Sequence, residues 1–90
     1  DVLVSKNVAP SAKHELLLVG KRVEEALDIL DKTLDESVLA GLNRLYVVHG
    51  RGTGQLRSAI QEFLRSDPRV RAYKTASNEE GGQAVTVIDF

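Results

Sequence analysis

Ninety residues, 42% of them apolar, make one small domain with a single core. The chain has no cysteine, which excludes disulfides, thiolate metal sites and cysteine nucleophiles, and no apolar run nears the roughly 18 residues a membrane helix needs. A formal net charge of −1 neither selects nor excludes a polyanionic partner, so the distribution of charge matters more than its sum.

Residues 1–14 have no clear period and contain Pro10 with Ser5 and Ser11. They read as a tether from a preceding domain, with a short edge strand at residues 2–4. The chain opens on Asp1 with no signal-peptide pattern, and is expected to be a piece of a longer cytoplasmic protein. Leu16, Leu17, Leu18 and Val19 form an apolar run stopped by Gly20, the pattern of a strand buried on both faces. Val23, Ala26, Leu27, Leu30, Leu34 and Val38 recur at three and four, the stripe of an amphipathic helix. Glu24 and Glu25 stand in its first turn, where the helix dipole favours acids, and Gly41 is its expected stop.

A second buried strand is expected over residues 45–48, ending at His49. A glycine-rich loop follows, then a second helix on Leu56, Ala59, Ile60, Phe63 and Leu64, which must end before Pro68. Residues 70–75 read as a third strand, residues 77–82 as a polar turn, and residues 84–90 as a β-branched closing strand. The order is therefore βαβαββ, an α/β domain over residues 15–90 with a mixed, mostly parallel four-stranded sheet and two helices. Crossover connections make the first three strands parallel, and a hairpin makes the last antiparallel. The segments around Val19, Gly20 and Lys21, residues 49–54 and residues 77–82 should then converge on one sheet edge, where open α/β sheets bind ligands.

Charge is segregated along the chain. Residues 15–36 hold seven acids against three bases, and residues 44–74 hold seven bases against two acids, a net of +5. A half-basic domain suits a polyanion on one side, although charges scattered over solvated helices would give the same count. The loop sharpens the choice. Gly50, Gly52 and Gly54 cost conformational entropy and offer no packing, so they suit a backbone that must turn sharply or approach a ligand. Between a strand and a helix they present free amides and a positive helix end. Arg51 and Arg57 add guanidinium forks matched to phosphate oxygens, and Thr53 and Lys21 add a hydroxyl and a further cation. The spacing is neither the dinucleotide fingerprint nor a phosphate-loop NTPase motif. A lone histidine at a strand end is most often a hydrogen-bonded structural residue. Beside a phosphate cradle, His49 is also a candidate phosphate ligand or general acid–base.

The run His49-Gly50-Arg51-Gly52-Thr53-Gly54-Gln55-Leu56-Arg57 resembles the HGxGxGxLR signature of the Smr (small MutS-related) domain. The segment from Gly20 to Leu27 resembles the family's G-x-x-x-x-E-A-L, and Gly81-Gly82-Gln83-Ala84-Val85-Thr86-Val87 its closing GGxGVT. Within the family the chain is most similar to the C-terminal domains of bacterial recombination-suppressing MutS paralogues. The resemblance implies a two-layer α/β sandwich, DNA or RNA binding, and often nicking endonuclease activity with a divalent metal such as Mn²⁺ or Mg²⁺. It also implies MutS-type ATPase domains earlier in the same chain, suppression of homologous recombination, and a tie to ribosomes. One departure is chemical: the family's L-D-L-x-G reads Leu16-Leu17-Leu18-Val19-Gly20 here. Leucine at position 17 cannot ligate a metal or act as a base, and an acid introduced there would be costly in a buried strand.

Two readings follow. In the first, the domain nicks DNA, with loop amides, Arg51 and Arg57 relieving phosphate charge and His49 exchanging the proton. Glu79 and Glu80 on the converging turn are then the nearest acids by topology, although turn acids are usually only solvated. In the second, the domain is a non-catalytic module that binds nucleic acid or a ribosomal surface and positions a larger MutS-type ATPase. A small nucleotide-binding enzyme is a third reading, but no adenine or ribose motif accompanies the loop.

Overall fold

The computed structural model describes residues 13–90; most of the tether and the strand expected at residues 2–4 lie outside them. The elements run β1 (Glu15–Leu17), α1 (Val23–Leu39), β2 (Arg44–Val48), α2 (Gln55–Arg65), β3 (Ala72–Thr75) and β4 (Val85–Asp89). Two 3-10 turns, Asn78–Glu80 and Gly82–Ala84, connect β3 to β4. The His14 carbonyl accepts the Tyr46 amide at 2.9 Å, so sheet pairing begins one residue inside the segment read as tether.

The sheet order is β1-β2-β4-β3. β1 pairs parallel with β2, and β4 pairs antiparallel with both β2 and β3. Three strands thus run one way, as the connections require, and the returning β4 fills the gap left between β2 and β3. Leu16, Leu18, Leu45, Val47 and Ile88 point to one face and meet Ala26, Leu30 and Leu34 of α1 and Ile60 and Leu64 of α2 in a single cluster. Each such buried Leu, Ile or Val side chain stabilises the fold by about 1.5–3 kcal/mol. Both helices therefore cover the same face, and the domain has two layers. On the other face Tyr46, Val85 and Val87 form a smaller cluster with Ala76.

This layering changes the reading of β1. Leu16 and Leu18 are buried, whereas Leu17 is 66% and Val19 59% exposed. The helices cover one face only, and among the described residues β1 is an edge strand whose other face lies outside the smaller cluster. α1 ends as its glycine suggests. Gly41 adopts φ +73°, its amide reaches the Val38 carbonyl, and the Leu42 amide reaches that of Ser37, the paired bonds of a Schellman cap.

Part of the basic stretch is engaged within the fold. Arg69 bonds Asp67, Asp31 and Asp35, each at 2.7 Å, tying the α2–β3 connection to α1. Hydrogen bonding to the Arg69 guanidinium holds the Asp67 carboxyl below the usual aspartate range, against the opposing pull of burial. A carboxyl depressed in the folded state adds stability above its unfolded pKa of about 3.9 and loses it as pH falls through the lower folded value. Arg69→Ala should lower stability by about 1–3 kcal/mol at neutral pH, chiefly through the buried Asp67 bond, since the exposed Asp31 and Asp35 pairs contribute little. The loss should shrink in acid below about pH 4. Denaturant melts across that range check this; a deficit that does not change with pH would assign the stabilisation elsewhere.

Candidate functional site

The loop after β2 is built from backbone conformations that side chains resist. Gly50, Gly52 and Gly54 have φ of +78°, +40° and +86°, all in the left-handed region. The Gly54 amide closes the turn on the Arg51 carbonyl at 2.9 Å. Gly54 then serves as the N-cap of α2 with no side-chain cap. Thr53 Oγ1 takes the Gln55 amide at 3.3 Å, while helix geometry leaves the Leu56 and Arg57 amides without a helical acceptor. The helix end is thus open to an acceptor from outside.

Two clefts flank this loop. One, of about 510 Å³, lies between it and the start of α1, and is lined by Lys21, Arg22, Glu24, His49, Arg51, Gly52 and Gly54, among others. The other, of about 430 Å³, is lined by Arg51, Gly52, Thr53, Gly54, Arg57 and Gln83. Arg51 is exposed and lies on both clefts. Arg57 Nη2 donates to Thr75 Oγ1 at 3.0 Å, and its buried Nε has no protein acceptor among the described residues. Thr75 thus holds the guanidinium on the cleft. By contrast Arg44 pairs with Asp89 and Arg65 with Glu62. Of the seven bases in residues 44–74, Arg51 and Arg57 are the two on the clefts.

The converging segments meet only in part. Lys21 reaches the first cleft, and the closing turn reaches the second through Gln83. The Ala84 carbonyl accepts both the His49 and Gly50 amides at 3.0 Å. Glu79 and Glu80 line neither cleft. Glu80 instead accepts the Tyr46 hydroxyl at 3.0 Å and pairs with Lys13 at 3.6 Å, and Tyr46 belongs to the face away from the helices. The turn's first half is anchored there, and only its second half approaches the loop.

His49 is buried, its residue 4% exposed. Its Nδ1 lies 2.9 Å from the Gly50 carbonyl and its Nε2 2.8 Å from Thr86 Oγ1. Burial pushes the imidazole pKa down; the Gly50 bond opposes this and the charge of Arg57 adds to it. The shift favours the uncharged ring, which lines the first cleft.

Sequence reasoning missed Arg22, Gln61, Thr75, Gln83 and Thr86. Gln83 and Thr86 sit inside the closing motif already noticed, so that motif carried the signal. Gln61 and Thr75 are ordinary polar residues of a helix and a strand, and nothing local marks them. Among the described residues, no group of three or more histidine and carboxylate side chains stands close enough to hold a metal ion.

Comparison with known proteins agrees with this architecture. The sequence model of the Smr domain matches residues 16–90. A protein named endonuclease MutS2 from Thermomicrobium roseum is 51% identical over 85 residues, which cover 94% of this chain and 11% of that relative. Another of that name from Finegoldia magna is 46% identical over 86 residues, again 94% of this chain and 11% of the relative. The chain thus spans about a tenth of these relatives' length. The crystal structure of the Smr domain of Thermus thermophilus MutS2 superposes with a TM-score of 0.83 at 46% identity, covering 84% of this chain and 95% of that one. YdaL, a stand-alone small MutS-related protein from Escherichia coli, shares the fold with a TM-score of 0.78 at 24% identity, over 84% of this chain and 63% of that one. With its glycine loop between β2 and α2 and both helices on one face of a mixed sheet, the chain belongs to the Smr domain family.

Proposed function

We propose that this domain binds the phosphate backbone of DNA or RNA at the loop of residues 50–54, as the nucleic-acid module of a longer MutS-type protein. One observation carries the reading: the open N-terminus of α2 faces clefts on which Lys21, Arg22, Arg51 and Arg57 stand, with Glu24 as the one carboxylate among the described residues. Loop amides bind phosphate oxygens directionally, and the guanidinium forks add charge and bidentate geometry. Phosphate contacts make affinity fall with salt, with a log–log slope near −0.9 per contact on duplex DNA and about −0.7 on single strands. Fluorescence anisotropy with a labelled oligonucleotide across a salt series tests this. A slope of about −2 or steeper is expected, and a flat dependence would rule the cradle out.

A second reading, nicking of the bound strand, draws on the name of the relatives and on His49 lining the first cleft. The residues present do not fit a divalent-metal site: the acid of the family pattern is Leu17, and Glu80 is held by Tyr46 and Lys13. The first reading predicts that the wild-type domain, incubated with supercoiled plasmid and Mn²⁺ or Mg²⁺, nicks no more than its EDTA blank. Leu17 is exposed, so Leu17→Asp carries little folding cost and should leave melting unchanged; on the second reading it should also raise metal-dependent nicking. Wild-type nicking abolished by EDTA would favour the second reading, and a folded Leu17→Asp protein that cuts no better would show that this departure is not what limits cleavage.

A further inference from the structure

We infer that Thr86 and Gln61 are positioning residues of the loop, acting through a single fixed tautomer of His49. The tautomer follows from the acceptor on one side. A carbonyl oxygen has no proton to give, so the 2.9 Å contact between His49 Nδ1 and the Gly50 carbonyl requires Nδ1–H to donate. In the opposite tautomer two lone pairs would face each other there. With the ring neutral, Nε2 is a bare acceptor, and the Thr86 hydroxyl at 2.8 Å must donate to it. Thr86 Oγ1 then accepts from Gln61 Nε2 at 3.2 Å. The chain of donors runs one way, from the Gln61 amide to the Thr86 hydroxyl, to His49, to the Gly50 carbonyl, and each member is satisfied.

The output of this chain is the Gly50 peptide. Its carbonyl is held by His49 Nδ1–H, and its amide, with that of His49, is held by the Ala84 carbonyl. Gly50 is where the backbone enters the left-handed region, so its orientation sets the direction of every amide that follows and the starting point of Arg51. α2 supplies Gln61 and β4 supplies Thr86; the sheet and the helix together therefore fix the loop. Because Thr86 occupies the Nε2 lone pair and Gly50 the Nδ1 proton, His49 has no free nitrogen for a substrate proton. Its place is that of a latch on the loop rather than of a general base.

The test has two arms, and only the second rests on the phosphate-binding reading. In the first, long-range ¹H–¹⁵N spectra of the wild-type domain near neutral pH should show His49 protonated at Nδ1 and bare at Nε2. An Nε2–H tautomer or an imidazolium would overturn the inference, and this arm needs no ligand and no variant. In the second, Thr86→Val removes the hydroxyl at nearly constant volume, and Thr86→Ser keeps it. Thr86→Val should keep the Nδ1–H tautomer, move the ¹⁵Nε2 signature as its hydrogen bond is lost, and weaken binding of a fluorescein-labelled oligonucleotide by roughly 3–10-fold, the size of one net hydrogen bond, while Thr86→Ser retains the wild-type signature and affinity. Equal affinity in a folded Thr86→Val protein would overturn the positioning role. Should Thr86→Val not fold, Gln61→Leu breaks the chain one link further out, and its unchanged signature and affinity would count equally against it. A wild type with the Nδ1–H tautomer that binds no oligonucleotide would sink the phosphate reading and leave the latch standing.

Discussion

Replacing Arg51 and Arg57 together with alanine is expected to weaken oligonucleotide binding by roughly 100-fold at low salt, and to reduce the slope of log affinity against log salt by nearly two. The size follows from two charge-assisted hydrogen bonds lost at about 1.5–3 kcal/mol each, discounted for solvent access. The two arginines differ in kind. Arg51 is exposed and forms no ion pair among the described residues, so it is free to follow a backbone. Arg57 is anchored through Thr75 with its Nε buried, and presents a fixed guanidinium edge to the second cleft. Arg65→Ala is the matched control, since Arg65 pairs with Glu62 at 3.5 Å within α2; it should change neither affinity nor slope by more than a small long-range term. A double variant that binds as tightly as the control would remove this loop as the grip, whatever the wild type binds.

His49→Ala is expected to act first on stability. The substitution empties a buried ring site and strips partners from Thr86 and from the Gly50 carbonyl. A cavity and an unpaired buried polar group together cost about 2–4 kcal/mol, which in a domain of this size lowers the melting temperature by roughly 10–20 °C. Affinity for an oligonucleotide should fall as the loop loosens, even at temperatures where the variant remains folded. A general base would behave otherwise: its removal would abolish cleavage while leaving the melting curve and the affinity close to wild type. Circular-dichroism melts and anisotropy on the same preparations separate the cases. An unchanged melting temperature would defeat the structural role.

What the chain determines locally, it determines plainly. The three-and-four stripes from Val23 and from Leu56 place both helices to within a residue or two, because amphipathic periodicity and end signals such as Gly41 are properties of neighbours in sequence. The left-handed glycines mark the loop for the same reason, since a positive φ is a demand on one residue. The Smr pattern was legible in its three ordered motifs and holds over residues 16–90. What depends on a partner far along the chain was not legible. The run Leu16 to Val19 looks the same whether one face or two is covered, and only the placement of both helices on one side, with β1 outside the smaller cluster on the other, exposed Leu17 and Val19. The basic count of residues 44–74 did not reveal that Arg44 and Arg69 answer carboxylates from other elements. Topology put Glu79 and Glu80 near the loop, but a hydroxyl from Tyr46, on β2, turned Glu80 away. His49 ends a strand in either case; whether its ring faces solvent or the interior was decided by Thr86, 37 residues later, because a buried imidazole settles where both nitrogens find partners.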